Sequence, residues 1–293
     1  MVLEQQFEKT QPGDLGIIGD PIGHSLSPLM HSAALKTWSM VLQKEDRRSP
    51  QYHAFQVKPQ ELAEAVELAR RFKLRGINVT VPHKGAVCEH VDRLDPFAKA
   101  VGAVNTLVFD SQGVGGTNTD GNGFQDAIEL DLEFEAENRS SLVLGAGGTG
   151  RVIVAKLLDL GVREIFWWNR SPQRERGSFT NSEPRIRFLT HGDSLREPMG
   201  AADLVVNATS VGLSPEKEAS LPELAFREGQ SVFDVIYHRE TEFMRRARER
   251  GARVSGGLGM LLYQGAASFR IWMGAPAPVE VMRLALQNAI KKV

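Results

Sequence analysis

The chain of 293 residues contains a single cysteine, Cys88, which excludes an internal disulfide and a metal site built from several cysteines. No apolar run approaches the length of a membrane-spanning helix, and residues 1–13 lack the apolar core of a secretion signal. A charge excess is also missing, because 35 basic residues face 36 acidic ones. This balance argues against recruitment of nucleic acid or of an anionic membrane. We therefore expect a soluble, cytoplasmic protein.

Length and pattern indicate the fold class. The chain exceeds the length that one hydrophobic core usually serves, so two domains are expected. Strand-like and helix-like patterns alternate along the chain, which is typical of an α/β protein with mostly parallel sheets.

The heptad at residues 78–84 (Asn-Val-Thr-Val-Pro-His-Lys) is the most informative stretch of the first half. It predicts a strand over 76–81 that ends at Pro82, with Pro82 as the first residue of a helix. Strand alternation puts Asn78 and Thr80 on one face, and Lys84 follows. The heptad therefore predicts a polar ligand site at a strand end. A buried strand followed by a capped helix and a solvated lysine explains the same residues.

Two serines follow the first predicted strand, over 15–19, and a turn. Ser27 stands before Pro28, as an N-cap stands before a proline at the first helical position, and capping alone would explain Ser27. Ser25 lies before that cap in a glycine-containing turn, where capping does not explain it.

The second half contains a glycine-rich loop between a predicted strand over 141–144 and a predicted helix over 151–160. A loop in this context predicts a dinucleotide-binding fingerprint, because glycines let the backbone approach a pyrophosphate at a helix N-terminus. The alternative is a glycine-rich turn with no ligand. The loop residues are Gly145, Ala146, Gly147, Gly148, Thr149 and Gly150.

The next predicted strand, over 164–168, ends without the acidic residue that binds the ribose of NAD. Asn169, Arg170, Ser171 and Arg174 follow it instead. Arginine is suited to bind a phosphate, so the sequence favours NADP, whereas a solvated loop with surface arginines is the alternative.

Two later strands, predicted over 202–207 and 231–236, also end in polar residues. Thr209 follows the first of them and Tyr237 the second. Open α/β sheets bind their ligands at such strand ends, so both residues are candidates for ligand contact.

Taken together, the motifs resemble those of the shikimate dehydrogenase family, in the family's order and over residues 20–274. They are Gly23-His24-Ser25-Leu26-Ser27-Pro28, the heptad, Gly102-Ala103-Val104-Asn105-Thr106, Asn118-Thr119-Asp120-Gly121, the glycine loop, Asn169-Arg170-Ser171, Asn207-Ala208-Thr209-Ser210, and Gly259-Met260-Leu261 with Gln264.

The resemblance implies a substrate domain over 1–122, completed by helices in 257–293, around a Rossmann-type NADP-binding domain over 123–256. The active site is expected between them. Lys84 and Asp120 would be the catalytic pair. The implied substrate-binding residues are Ser25, Ser27, Asn78, Thr80, Asn105, Asp120, Tyr237 and Gln264. The implied cofactor-binding residues are Gly145 to Gly150, Asn169, Arg170, Ser171, Arg174, Thr209, Gly257 and Met260.

The implied activity is the NADPH-dependent, reversible reduction of 3-dehydroshikimate to shikimate in aromatic amino acid biosynthesis. Reduction of a ketone leaves negative charge on the oxygen, which a lysine ammonium can stabilise or protonate, and the sequence leaves open which of the two Lys84 does. A quinate/shikimate dehydrogenase that uses NAD or NADP is the enzymatic alternative. A metabolite sensor without turnover is the non-enzymatic one. We expect a monomer or a homodimer with no metal.

Overall fold

A computed structural model describes residues 2–41, 48–171, 183–213 and 224–291 of the chain. The chain divides into two compact units, of which the first comprises Met1–Thr119 with Gln264–Val293 and the second Asp120–Tyr263. The predicted α/β class with mostly parallel sheets is confirmed. No helix within the described ranges is long and apolar enough to cross a membrane.

The strands and helices alternate along most of the chain. The strands are β1 (Leu15–Gly19), β2 (Tyr52–Gln56), β3 (Gly76–Val79), β4 (Arg93–Leu94), β5 (Thr106–Asp110), β6 (Gly113–Thr117), β7 (Ser140–Leu144), β8 (Glu164–Trp168), β9 (Ile186–Leu189), β10 (Leu204–Asn207), β11 (Ser231–Asp234) and β12 (Arg253–Gly256). The helices are α1 (Leu3–Phe7), α2 (Ser27–Val41), α3 (Leu62–Arg71), α4 (Pro96–Val101), α5 (Asp120–Asp131), α6 (Gly148–Asp159), α7 (Arg196–Ala201), α8 (Glu242–Glu249), α9 (Leu258–Met273) and α10 (Val279–Ile290). Two short 3₁₀ helices cover Pro59–Glu61 and Ala86–His90.

The first unit contains a six-stranded mixed sheet in the order β2-β1-β3-β5-β6-β4. β1 runs parallel to both β2 and β3, whereas β5 runs antiparallel to β3 and to β6. One hydrophobic cluster of this unit joins α1 and α3 to the sheet, and in it the rings of Phe7 and Phe55 stack at 4.1 Å.

The second unit contains six parallel strands in the order β12-β11-β10-β7-β8-β9. This is the strand order of a Rossmann-type sheet, in which the direction of strand addition reverses between β7 and β10. The interior strands β7, β10 and β11 are buried along their whole length, as expected for a parallel sheet covered on both faces.

The structure corrects the prediction of a helix that starts at Pro82. β3 ends at Val79, residues 81–85 form turns, and a 3₁₀ helix begins only at Ala86. The carbonyl group of Lys84 accepts a hydrogen bond from the amide of Val104 at 2.8 Å, whereas the Cys88 amide bonds to Gly85. A contact with a distant loop thus replaces the backbone hydrogen bond that an α-helix needs at this position.

The predicted strand over 231–236 ends two residues early, at Asp234. The reason is local, because the Asp234 side chain accepts the Ile236 amide at 3.0 Å and so turns the chain.

A buried carboxylate anchors the amino end of the first sheet. The Asp14 side chain is fully buried, and its Oδ1 accepts hydrogen bonds from the Arg48 guanidinium at 2.7 Å and from the Gln51 amide at 2.9 Å. Its Oδ2 accepts the Gln11 amide at 3.0 Å and lies 2.9 Å from a ring nitrogen of His53. Burial alone would raise the pKa of Asp14, but these donors outweigh it and lower that pKa.

Asp14→Asn is expected to lower the free energy of unfolding by about 2 to 4 kcal/mol at neutral pH. A carboxyl group with a lowered folded pKa stabilises the fold above its unfolded pKa of about 3.9, and the stabilisation is lost as the pH falls through the folded pKa. The difference between wild type and variant should therefore shrink below about pH 4 in urea unfolding at a series of pH values. Asp110→Asn is the matched control, since Asp110 forms an exposed ion pair with Arg93. A difference that persists undiminished in acid would contradict this role of Asp14.

Candidate active site

Several strand ends of the first unit meet at one edge of its sheet. β1 and β3 are parallel neighbours, so the turn that contains Ser25 and residues 80–84 of the heptad follow adjacent carboxyl ends. β5 is antiparallel to β3, with Thr106 opposite Asn78, and β6 returns with Thr117 opposite Thr106. Asn105, directly before β5, therefore lies at the same edge. Such an edge, beside a reversal of strand order, is where α/β sheets bind ligands.

The Asn78 amide group is held in one orientation. Its Oδ1 accepts a hydrogen bond from the Tyr52 hydroxyl at 2.7 Å. Its Nδ2 lies within hydrogen-bond distance of the Asn105 carbonyl (3.1 Å), the Thr106 Oγ1 (3.2 Å) and the Ser268 Oγ (3.1 Å). Because Asn78 is buried and both ends of its amide have partners, the side chain cannot flip without losing several hydrogen bonds.

Asn105 is held in the same way. Its Oδ1 accepts the Thr119 amide at 2.8 Å and the Thr106 hydroxyl at 2.9 Å. Its Nδ2 donates to the Thr119 Oγ1 at 2.9 Å and to the Gln264 Oε1 at 3.2 Å. We call the set of Tyr52, Asn78, Asn105, Thr106, Thr119, Gln264 and Ser268 the amide network. It joins three predicted substrate-binding residues, namely Asn78, Asn105 and Gln264.

Four members of the amide network were not predicted as site residues. Thr106 and Thr119 lie inside recognised motifs but had no assigned role. Ser268 follows Gln264 by four residues on α9, and its hydroxyl donates to the Gln264 carbonyl at 3.1 Å. That helical spacing was an available signal. Tyr52 offered none, because it lies 26 residues from Asn78 in the sequence.

An uncharged histidine, His31, packs against the ring of Tyr52. The ring of His31 stacks on that of Tyr52 with 4.5 Å between centroids and 9° between planes. Burial lowers the pKa of His31 to about 3, so the ring is neutral at physiological pH. His31 therefore acts as an aromatic wall for Tyr52 and brings no charge to the amide network.

The turn that carries Lys84 is tied to the sheet on several sides. The Thr80 amide donates to the Ile18 carbonyl at 3.0 Å, and a ring nitrogen of the buried His83 lies 2.7 Å from the Val57 carbonyl. The Lys84 carbonyl bonds to Val104, the residue before Asn105. The backbone of half-buried Lys84 is thus fixed beside the amide network.

Ser25 and Ser27 interact locally. α2 begins at Ser27, one residue earlier than predicted, and the Ser27 amide donates to the Ser25 hydroxyl at 3.3 Å. This contact gives Ser25 the structural role that the sequence did not explain. Across the described ranges, no hydrogen bond joins either serine to the amide network.

In the second unit, the two ends of the glycine loop pack closely against other backbone atoms, whereas its middle has no close neighbours. Gly145 has φ +103°, and a Cβ there would lie 2.8 Å from the Ala208 carbonyl oxygen. A Cβ on Gly150 would lie 2.1 Å from the Gly145 carbonyl oxygen. At Gly147 and Gly148, in contrast, a Cβ would meet nothing within 4 Å. Gly148 to Gly150 form the first turn of α6, whose N-terminus can attract an anion.

The end of β8 is connected to this loop. The Asn169 Oδ1 accepts the Ala146 amide at 3.3 Å, and its Nδ2 donates to the Ser171 carbonyl at 2.7 Å. Arg170 and Ser171 are exposed beside it. The fourth predicted residue of this group, Arg174, lies outside the described residues.

The remaining predicted residues of the second unit differ in burial. Asp120, the first residue of α5, and Tyr237 are half-buried, and burial raises the pKa of Tyr237. Met260 is buried in α9. A Cβ on Gly257 would lie 2.1 Å from the Val235 carbonyl oxygen, so packing alone requires glycine there.

No group of three or more His, Cys, Asp and Glu side chains among the described residues could hold a metal ion. The described site residues instead provide amide groups, hydroxyl groups, the Lys84 ammonium, the Asp120 carboxylate and the backbone of the glycine loop.

Comparison with known proteins identifies relatives of both units. Residues 17–107 match the family model of the shikimate dehydrogenase substrate binding domain, and residues 257–287 match that of the shikimate 5'-dehydrogenase C-terminal domain. A shikimate dehydrogenase (NADP(+)) of Moorella thermoacetica is 41% identical over 289 residues, which cover 96% of this chain and 95% of the relative.

Solved structures agree with these matches. Shikimate 5-dehydrogenase of Thermus thermophilus, in complex with NADP(H) and shikimate, has a TM-score of 0.81 and 34% identity, and covers 94% of this chain and 99% of its own. The Listeria monocytogenes enzyme, in complex with shikimate and NAD, has a TM-score of 0.84 and 32% identity over 94% of this chain and 96% of its own.

Proposed function

The chain belongs to the shikimate dehydrogenase family, and we propose that it interconverts 3-dehydroshikimate and shikimate with NADPH and NADP⁺. The observation that carries this proposal is the nearly full-length likeness to NADP-dependent shikimate dehydrogenases. The family and the NADP dependence predicted from the motifs are confirmed by these relatives. A monomer or homodimer in the cytoplasm stays a prediction.

The amide network supports the substrate half of the proposal. A cyclic substrate with hydroxyl groups and a carboxylate needs donors and acceptors at fixed positions. Asn78, Asn105 and Gln264 are buried and already oriented by their neighbours, so little reorganisation would accompany binding. We assign them to the substrate, together with Ser25, Ser27, Thr80, Asp120 and Tyr237.

The second unit fits a dinucleotide. The space outside Gly147 and Gly148, at the N-terminus of the 12-residue helix α6, can admit a pyrophosphate. The Ala208–Thr209 segment follows β10 at the reversal of strand order, where a dinucleotide crosses the sheet. Gly145 to Gly150, Asn169, Arg170, Ser171 and Thr209 are the residues assigned to hold the cofactor, with Gly257 and Met260 near the nicotinamide.

When bound, NADPH supplies a hydride to the ring carbonyl carbon. The residue assigned to the carbonyl oxygen is Lys84, whose ammonium stabilises the developing negative charge and can donate a proton. In the reverse direction the neutral amine of Lys84 would receive the proton of the alcohol and return to the ammonium form. Asp120 is assigned to orient the lysine and to accept a hydrogen bond from the substrate.

The direct test is an assay of the purified chain with 3-dehydroshikimate, which should oxidise NADPH. Quinate should be tested in parallel with NADP⁺ and NAD⁺. Turnover of quinate with an efficiency comparable to that of shikimate would support the quinate/shikimate dehydrogenase alternative. Binding of both ligands without any turnover would support a metabolite sensor.

Arg170→Ala is expected to lower kcat/KM for NADPH by about 10- to 100-fold and to change it little for NADH. The reason is that charge-assisted hydrogen bonds to the 2′-phosphate would be lost, and these contribute about 1.5–3 kcal/mol. Steady-state kinetics with both cofactors measures the change.

The matched control is Arg163→Ala. Arg163 precedes the amino end of the same strand, β8, and donates to the Ser140 hydroxyl at 2.8 Å. It should leave the cofactor preference unchanged. Equal efficiency of the wild type with NADPH and NADH would refute the phosphate-binding role of Arg170.

A further inference from the structure

Asp234, the last residue of β11, has a fully buried side chain that no predicted role explains. Among the described residues, the donors to its side chain all lie in the same unit. Its Oδ1 accepts the Asn207 Nδ2 and the Ile236 amide, each at 3.0 Å. Its Oδ2 accepts the Thr241 hydroxyl at 2.6 Å. A buried carboxylate is costly unless its oxygens are satisfied in this way, and burial raises the pKa of Asp234 in spite of these donors.

The contact with Asp234 determines how the Asn207 amide is turned. Its Nδ2 donates to Asp234 and to the Val211 carbonyl at 3.1 Å, so its Oδ1 faces the other way. There the Oδ1 accepts the Thr209 amide at 3.1 Å and the Thr209 hydroxyl at 2.6 Å. A flipped amide would direct its oxygen at the carboxylate and its NH₂ group at the Thr209 N–H. Asp234 therefore selects the orientation that closes the turn.

This turn packs directly on the glycine loop. A Cβ on Gly145 would lie 2.8 Å from the Ala208 carbonyl oxygen and 2.9 Å from the Thr209 Cγ2. The Thr209 hydroxyl also accepts the Val211 amide at 3.0 Å. A shift of the turn would thus displace both Thr209, which follows β10, and the glycine loop, which follows β7. The strand order reverses between these two strands.

We propose that Asp234 is a positioning residue for the dinucleotide, which acts through Asn207 to hold the Ala208–Thr209 backbone against Gly145. The inference rests on the proposed function, since it takes Thr209 and the glycine loop as the cofactor site. We call the hydrogen bonds from Asp234 through Asn207 to Thr209 the relay. It needs an acceptor at the Oδ1 position of residue 234, but it does not need a negative charge there. An asparagine at position 234 can keep that acceptor and turn its NH₂ group toward the Thr241 oxygen.

The experiment compares Asp234→Ala with Asp234→Asn by fluorescence titration of NADPH and by steady-state kinetics. Asp234→Ala should raise the Kd and KM for NADPH by about tenfold or more, with KM for 3-dehydroshikimate within about twofold at saturating NADPH. Asp234→Asn should bind NADPH within about threefold of the wild type. A purely structural role would reduce the amount of folded protein without changing the Kd of the folded fraction.

Asp203→Ala is the control, because Asp203 precedes the opposite end of β10 and its Oδ2 accepts the Ser140 amide at 3.0 Å. It should lower the Tm and leave the Kd for NADPH unchanged. If Asp234→Ala does not fold, Asn207→Asp tests the same relay, since it removes the donor to Asp234 and should weaken NADPH binding about tenfold.

Two failures can be told apart. Wild-type affinity in Asp234→Ala or in Asn207→Asp, or an equal increase of the Kd in Asp203→Ala, would overturn the positioning role. A wild type that does not bind NADPH would overturn the proposed function itself.

Discussion

Lys84→Ala is expected to lower kcat by about a thousandfold while KM for 3-dehydroshikimate and for NADPH stays within about threefold. The ammonium group acts on charge that develops during the reaction, whereas the amide network and the glycine loop provide contacts that exist before it. The backbone at Lys84 is held by Val104, so removal of the side chain should leave the turn in place. Steady-state kinetics in both directions, with the Tm as a check of folding, measures the effect.

The control is Lys99→Ala, which removes an exposed lysine from α4 and should leave kcat unchanged. A kcat within a few-fold of the wild type in Lys84→Ala would show that the catalytic assignment is wrong.

The pairing of Lys84 with Asp120 can be tested in the same assay. If the two residues act as a unit, Lys84→Ala combined with Asp120→Asn should cost little more in kcat than Lys84→Ala alone.

Gly150→Ala is expected to weaken NADPH binding by about a hundredfold and to lower the free energy of unfolding by about 1 to 3 kcal/mol. The added Cβ would lie 2.1 Å from the Gly145 carbonyl oxygen, so the backbone of the loop must move. NADPH titration and urea unfolding measure the two effects.

Gly147→Ala, in the same loop, tests NADPH binding without a clash inside the protein. Its backbone, at φ −73° and ψ −176°, suits alanine, and the new Cβ would meet no protein atom within 4 Å. Stability should therefore stay constant, while NADPH binding should weaken by about tenfold or more because the methyl group occupies the space assigned to the pyrophosphate. Gly200→Ala, in α7 of the same unit and also without a neighbour within 4 Å, is the control that should leave NADPH binding unchanged and raise the free energy of unfolding by at most about 1 kcal/mol. Unchanged NADPH binding in Gly147→Ala would contradict the assignment of the loop.

Local signals predicted the parts of the fold that depend on local chemistry. β8 covers the predicted residues, Glu164–Trp168, because its apolar run is bounded by polar residues and forms an interior strand. The glycine loop was predicted because a strand, a set of glycines and a helix succeed one another within about twenty residues. β12, in contrast, was missed, since this short, partly exposed edge strand exists through its pairing with β11.

The sequence by itself determined the α/β class, the glycine loop, the absence of an acid after β8 and the family, because each rests on periodicity or on neighbouring residues. Only the tertiary structure decided the turn after Pro82, the hydrogen bonds of Tyr52 and Ser268 to Asn78, and the contact of Asp234 with Asn207. Those features depend on hydrogen bonds between groups that are 20 to 190 residues apart in the chain. No local pattern records such a partner, and the packing of the sheets brings it into reach.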